Sequence, residues 1–131
     1  MRRTVMGAAM MTALVVTAAQ DWYHERDEHF RGEAWRSQVF LLVRSDLERI
    51  WSAKNAADQE RTRIEKTKQE LTKMQADLTQ GRWDNGQVND VIDSLRKSAN
   101  DDRLAQRDRA VLADDVNRIK DYQDRHNRGQ H

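Results

Sequence analysis

From Glu33 to Gln80 the sequence has neither glycine nor proline. Turns recruit those residues, so a stretch of this length without them is hard to fold as anything but helix. Within it Val43, Ile50, Ala57, Ile64, Leu71 and Leu78 recur at a seven-residue interval. That spacing lays one apolar residue on a single line every two helical turns. The companion column, Asp46, Ala53, Glu60, Thr67 and Met74, is much more polar. A parallel two-stranded coiled coil wants both columns apolar, so the seam is expected to pack on other helices of the same polypeptide. Leu47 and Trp51 widen the stripe, with Phe40 and Trp35 further back. Asn55-Ala56-Ala57-Asp58 is the credible break, because Asn55 can cap a new helix. The column passes through Ala57 without a change of phase, which favours one continuous long helix.

Gly81 is placed to end that helix as the residue just past its last turn. Asp84 with Gln87 three residues later reads as an N-cap signature. Val88, Val91, Ile92, Leu95 and Ala99 then follow at helical spacing, and Asn100-Asp101-Asp102 breaks the stripe. A last helix is expected from about Ala105 to His126, with Leu112, Val116, Ile119 and Tyr122 or Gln123 on its apolar side and Leu104 and Val111 flanking. The expected fold is all-α: an elongated three- or four-helix bundle. One long helix, either continuous or broken at Asn55-Ala56-Ala57-Asp58, carries two shorter helices folded back on it. The helical domain covers residues 33–126, and the tail 127–131 reads as disordered.

Composition agrees with narrow stripes rather than a broad core. Hydrophobic residues make up 37% and charged residues 34% of the 131 positions, and mean hydropathy is −1.01. There is no proline in the whole sequence and only five glycines. There is no cysteine, so disulfide and thiolate chemistry are excluded. Pairs such as Glu65 with Lys68, Lys73 with Asp77, Asp114 with Arg118 and Asp121 with Arg125 lie at i,i+3 or i,i+4. Each is worth about 0.2–0.5 kcal/mol and marks a solvated helix face.

Residues 1–19 read as a secretory signal peptide. Arg2 and Arg3 form a basic start, Val5 to Val16 is uncharged and mostly apolar, and Thr17-Ala18-Ala19 offers small residues at the cleavage point. Cleavage is expected after Ala19 or Ala18, and the expected location is periplasmic or secreted. The apolar run is shorter than the roughly 20 residues that span a bilayer. Membrane attachment follows only if the leader stays uncleaved. Losing Arg2 and Arg3 leaves 21 basic against 22 acidic residues. Such a balance does not suit nucleic-acid binding, which wants a concentrated basic face. A protein partner or self-association fits better.

Candidate chemistry is sparse. In the polar, aromatic segment 20–32, read as a frayed entry, His24 with Glu28 and Glu25 with His29 stand at i,i+4. His24, Glu28 and His29 are therefore candidate metal ligands, without an identifiable third to close a site. Asp84-Asn85-Gly86 lacks the alternate oxygen ligands of a calcium loop and reads as a turn and cap. Trp35 and Trp51 are expected as core anchors, with Trp83 covering the bend after Gly81. No nucleophile elbow and no phosphate loop occur. The expectation is a non-enzyme without a cofactor.

Three stretches carry a resemblance: Thr67-Lys68-Gln69-Glu70-Leu71, Gly81-Arg82-Trp83-Asp84, and Arg107-Asp108-Arg109 with Leu112 and Asp114-Asp115. Together they resemble an uncharacterised family of small exported bacterial helical proteins. The resemblance implies export and helices and transfers no functional residue. Leu71-Thr72-Lys73-Met74-Gln75 is also similar to the LTxxQ motif of periplasmic envelope-stress chaperones. In those proteins the motif usually occurs twice and caps helices, whereas here it appears once, on the seam.

Overall fold

The computed structural model describes residues 22–52 and 58–129; of Asp58, only the backbone is described. The leader, the Asn55–Ala57 part of the candidate break and the last two residues lie outside them. Two compact units are distinguished, Met1–Trp35 and Arg36–His131. The described residues are helical without strands. No helix among them is long and apolar enough to cross a membrane.

In the first unit, residues 22–29 form α1. The expected frayed entry is therefore helical. Arg26 and Phe30, four residues apart, explain part of it: the guanidinium lies 4.6 Å from the ring centre of Phe30. Phe30 N–H closes the end by donating to the Arg26 carbonyl. Gly32 takes φ +74°, a conformation natural to glycine, and its carbonyl accepts the Trp35 indole N–H at 3.1 Å.

A 3-10 turn, Ala34–Gln38, leads into the second unit. There α2 is Val39–Ser52, α3 Asp58–Thr79, α4 Asn85–Ala99 and α5 Gln106–Gly129. α2 packs on α3 and α5, and α4 packs on the same two helices. The expected continuity of 33–80 is thereby corrected. A single helix would hold Ser37 and Gln75 about 57 Å apart at 1.5 Å per residue. Instead the Gln75 amide donates to the Ser37 carbonyl at 2.8 Å. The reason is burial. A straight helix would leave its stripe in water, whereas folding back sets Val43, Leu47 and Ile50 within one core with Ile64, Leu71 and Met74, all at most 4% exposed.

α3 ends in a Schellman motif. Gly81 at φ +75° donates to the Leu78 carbonyl, and Arg82 N–H donates to the Asp77 carbonyl at 2.7 Å. Asp84 then caps α4, its carboxylate accepting the Gln87 N–H at 3.2 Å. The Gln87 amide oxygen has no partner, so only half of a capping box is made. On α4 the stripe Val88, Val91, Ile92 and Leu95 is buried, and Ser98 rather than Ala99 completes it. α5 buries Val111, Leu112, Val116 and Ile119. It continues as helix to Gly129, so the expected disordered tail is corrected for residues 127–129. Arg128 supports that last turn by donating to the Asp124 carbonyl, and a cation there suits the helix dipole.

Candidate functional site

Two places in the second unit gather distinctive side groups. One lies where α2 begins, α3 ends, α4 begins and α5 ends. There Phe40, Trp83, Tyr122 and His126 meet. The Trp83 and His126 rings are stacked at 4.0 Å, and Tyr122 lies 5.7 Å from Trp83. Phe40 lies 6.1 Å from both Trp83 and Tyr122. The Trp83 indole N–H donates to Asn85 Oδ1 at 2.6 Å, and the Gln123 amide donates to the same oxygen at 3.3 Å and to Asn89 Oδ1 at 3.1 Å. Burial pushes the Tyr122 phenol above its ordinary value, with Arg36 acting the other way. Arg36 donates to Asp121 at 3.0 Å. That bond, with Arg125 nearby, holds the Asp121 carboxyl below the usual carboxylate range.

This corner joins four helix ends. Its ring faces are turned on one another, which makes it a packing centre rather than an open platform.

The second place is a cleft of about 300 Å³ between the C-terminal end of α2 and the N-terminal half of α3. Half-buried Trp51 supplies apolar surface, and Ile64, only 4% exposed, also lines the cleft. Glu48, Arg61, Glu65 and Lys68 surround them, and Lys68 donates to Glu65 at 2.9 Å. Leu41, 42% exposed, shares a side of α2 with Glu48 and Trp51 by helical spacing. An indole and a branched aliphatic among mixed charges can seat an apolar side group while its polar neighbours stay wet.

The candidate metal ligands lie on α1 and do not converge. His24 Nε2 is 3.8 Å from Glu28 Oε1, and Glu28 also pairs with Arg31 at 3.0 Å. His29 is exposed. Among the described residues no group of three His, Cys, Asp or Glu comes together to hold a metal ion. Of the tryptophans, Trp35 is buried, Trp51 half-buried, and Trp83 sits over the bend after Gly81. Within the LTxxQ stretch, Gln75 reaches across to Ser37, while Thr72 donates to the Lys68 carbonyl inside its own helix.

Sequence reasoning missed a polar network inside the α3–α4 interface. Arg63 donates to the Ser94 carbonyl at 2.8 Å, to the Ser94 hydroxyl at 3.0 Å and to the Ser98 hydroxyl at 3.3 Å. Thr67 and Ser94 hydroxyls lie 2.6 Å apart. Burial lowers the Arg63 pKa, and Asp101 partly offsets it. The available signal was Ser94 and Ser98 at i,i+4, on the inward side of the α4 stripe. Asp46, Asp108 and Asp115 are buried as well.

No protein-family model matches the sequence, and no curated protein or solved structure was found to be similar to it.

Proposed function

We propose that this is an exported, non-enzymatic helical protein that works through protein contacts in the cell envelope, as a chaperone-like or structural element. Its second unit reads as an up-and-down four-helix bundle. Cross-helix bonds from Gln75 to Ser37, Arg63 to Ser94 and Gln123 to Asn89 support antiparallel neighbours. The basic, apolar and small-residue succession in residues 1–19 supports export.

The observation that carries the reading is the α2–α3 cleft. Its apolar surface is chiefly the half-buried Trp51, backed by Ile64, and it lies among two carboxylates and two cations. A client's apolar side group rests on the indole, and the mixed charges tolerate varied flanking residues. So small a patch gives weak, exchanging contacts, as a holding function requires.

Light scattering of an aggregating client with and without the purified protein tests this. Suppression by the wild type, weakened in Trp51→Ala, is the expected result; aggregation unchanged by the wild type overturns it. N-terminal sequencing of the protein expressed in a bacterium is expected to begin at Gln20 or Ala19. A product that keeps Met1 in the cytosol removes the export part, and one that keeps Met1 in the membrane fraction makes it an anchored protein.

A further inference from the structure

We infer that Asn85 is a site of spontaneous deamidation in the folded protein, assisted by the N–H groups of Trp83 and Gln123. In this reaction the backbone nitrogen of Gly86 attacks the amide carbon, Cγ, of Asn85. A new N–Cγ bond closes a five-membered imide, and the bond from Cγ to Nδ2 breaks. The proton from Gly86 N–H reaches the departing amide through water, and ammonia leaves. Water then opens the imide at either carbonyl, giving aspartate or isoaspartate.

Several observations place this chemistry at Asn85. Gly86 has no substituent to shield its nitrogen, and an added Cβ would meet Asp84 Oδ1 at 3.3 Å. Its N–H belongs to the first turn of α4, which has no intrahelical acceptor to offer. The cap carboxylate of Asp84 is given to Gln87 instead. Both Asn85 and Gly86 are exposed, so water reaches them. Finally, Asn85 Oδ1 is the oxygen that gathers charge when the amide is attacked. It already accepts N–H donors from Trp83 at 2.6 Å and Gln123 at 3.3 Å. Donors held ready for a developing oxyanion lower the barrier to its formation. The helical backbone must open at the first turn for the attack, and helix ends are where such opening is easiest.

The consequence is local and irreversible. An aspartate keeps both donors and adds a favourable charge at the start of α4. An isoaspartate reroutes the backbone through Cγ and dislodges the cap beneath Trp83.

Incubating the folded protein at mildly alkaline pH, followed by trypsin, provides the test. Cleavage after Arg82 and Arg96 frees residues 83–96, which contain Asn85 and, as an internal control, Asn89. The expected product carries the mass gain of exchanging NH2 for OH at Asn85, as a mixture of isoaspartate and aspartate, while Asn89 stays intact. Gln123→Ala is expected to slow conversion about fivefold, the factor a hydrogen bond of ordinary net strength is worth. Trp83→Phe, which keeps an aromatic ring and removes the donor, is expected to act in the same direction. Asn85 remaining intact in the folded protein while the urea-unfolded form converts overturns the inference. So does conversion in both variants as fast as in the wild type.

Discussion

The imidazole of His126 lies flat against the indole of Trp83, with ring centres 4.0 Å apart and planes 23° from parallel. The stack ties the last turns of α5 to the bend between α3 and α4, and Tyr122 and Phe40 close it from the sides. Removing the indole opens space among four helix ends at once. Trp83→Ala is expected to cost about 2 kcal/mol in urea denaturation, below the range for a fully buried tryptophan because Trp83 is only half-buried. Amide exchange near His126 is expected to quicken in the same variant, and Trp83→Phe to recover part of the loss.

Arg63 donates to both Ser94 and Ser98 from across the α3–α4 interface, and Ser98 is fully buried. Arg63→Met keeps an unbranched stem and removes the guanidinium. It is expected to cost about 1–3 kcal/mol by leaving buried oxygens without that donor. Combining it with Ser98→Ala is expected to cost less than the sum, because the second change removes an orphaned group. A double-mutant cycle by urea denaturation reads the coupling; strict additivity would show that the network does not act as a unit.

Acid should loosen the same framework. Lys73, as hydrogen-bond donor and charge, and Arg82 hold the Asp77 carboxyl below its ordinary value of 3.8; Arg36 and Arg125 do so for Asp121. Both groups bind protons less readily folded than unfolded. Their stabilisation is therefore complete above the unfolded value and is lost as pH falls through the lower folded value. The urea midpoint is expected to hold from neutral pH down to about 5 and to decline below it. Asp77→Asn and Asp121→Asn are expected to flatten the decline, and added salt to weaken it, since Lys73, Arg82, Asp121 and Arg125 are exposed.

Periodicity made the helices legible and topology less so. The α4 stripe from Val88 to Leu95 and the α5 stripe through Leu112, Val116 and Ile119 are buried as their spacing implies. The unbroken column through Ala57 misled, because seven-residue spacing is kept whether a helix continues or a second one restarts in phase. Only a long-range bond such as Gln75 to Ser37 tells them apart. The polar companion column misled too. Its polarity argues against a two-stranded coiled coil and gives no sign of burial, yet Asp46 and Thr67 within it are buried, and Ser94 meets the Thr67 hydroxyl. The α2–α3 cleft was invisible for the same reason: Trp51 and Ile64 share no helix, and only the reversal brings them together.

That reversal has a counterpart at the other end of α3, where one residue carries the backbone cost. Gly81 holds φ +75°, so Gly81 and Arg82 can donate to the Leu78 and Asp77 carbonyls. A methyl group there would touch nothing within 4 Å, so any penalty comes from the backbone alone. Gly81→Ala is expected to destabilise by about 1 kcal/mol, the cost of a left-handed conformation for an L-residue. Gly81→Asn is expected to cost less, since asparagine tolerates that region best among residues with a Cβ. Asp84→Ala, which removes the cap three residues later, is expected to cost about 1 kcal/mol independently. If the Ala and Asn variants at position 81 prove equally stable by thermal unfolding, the left-handed turn is not what limits this bend.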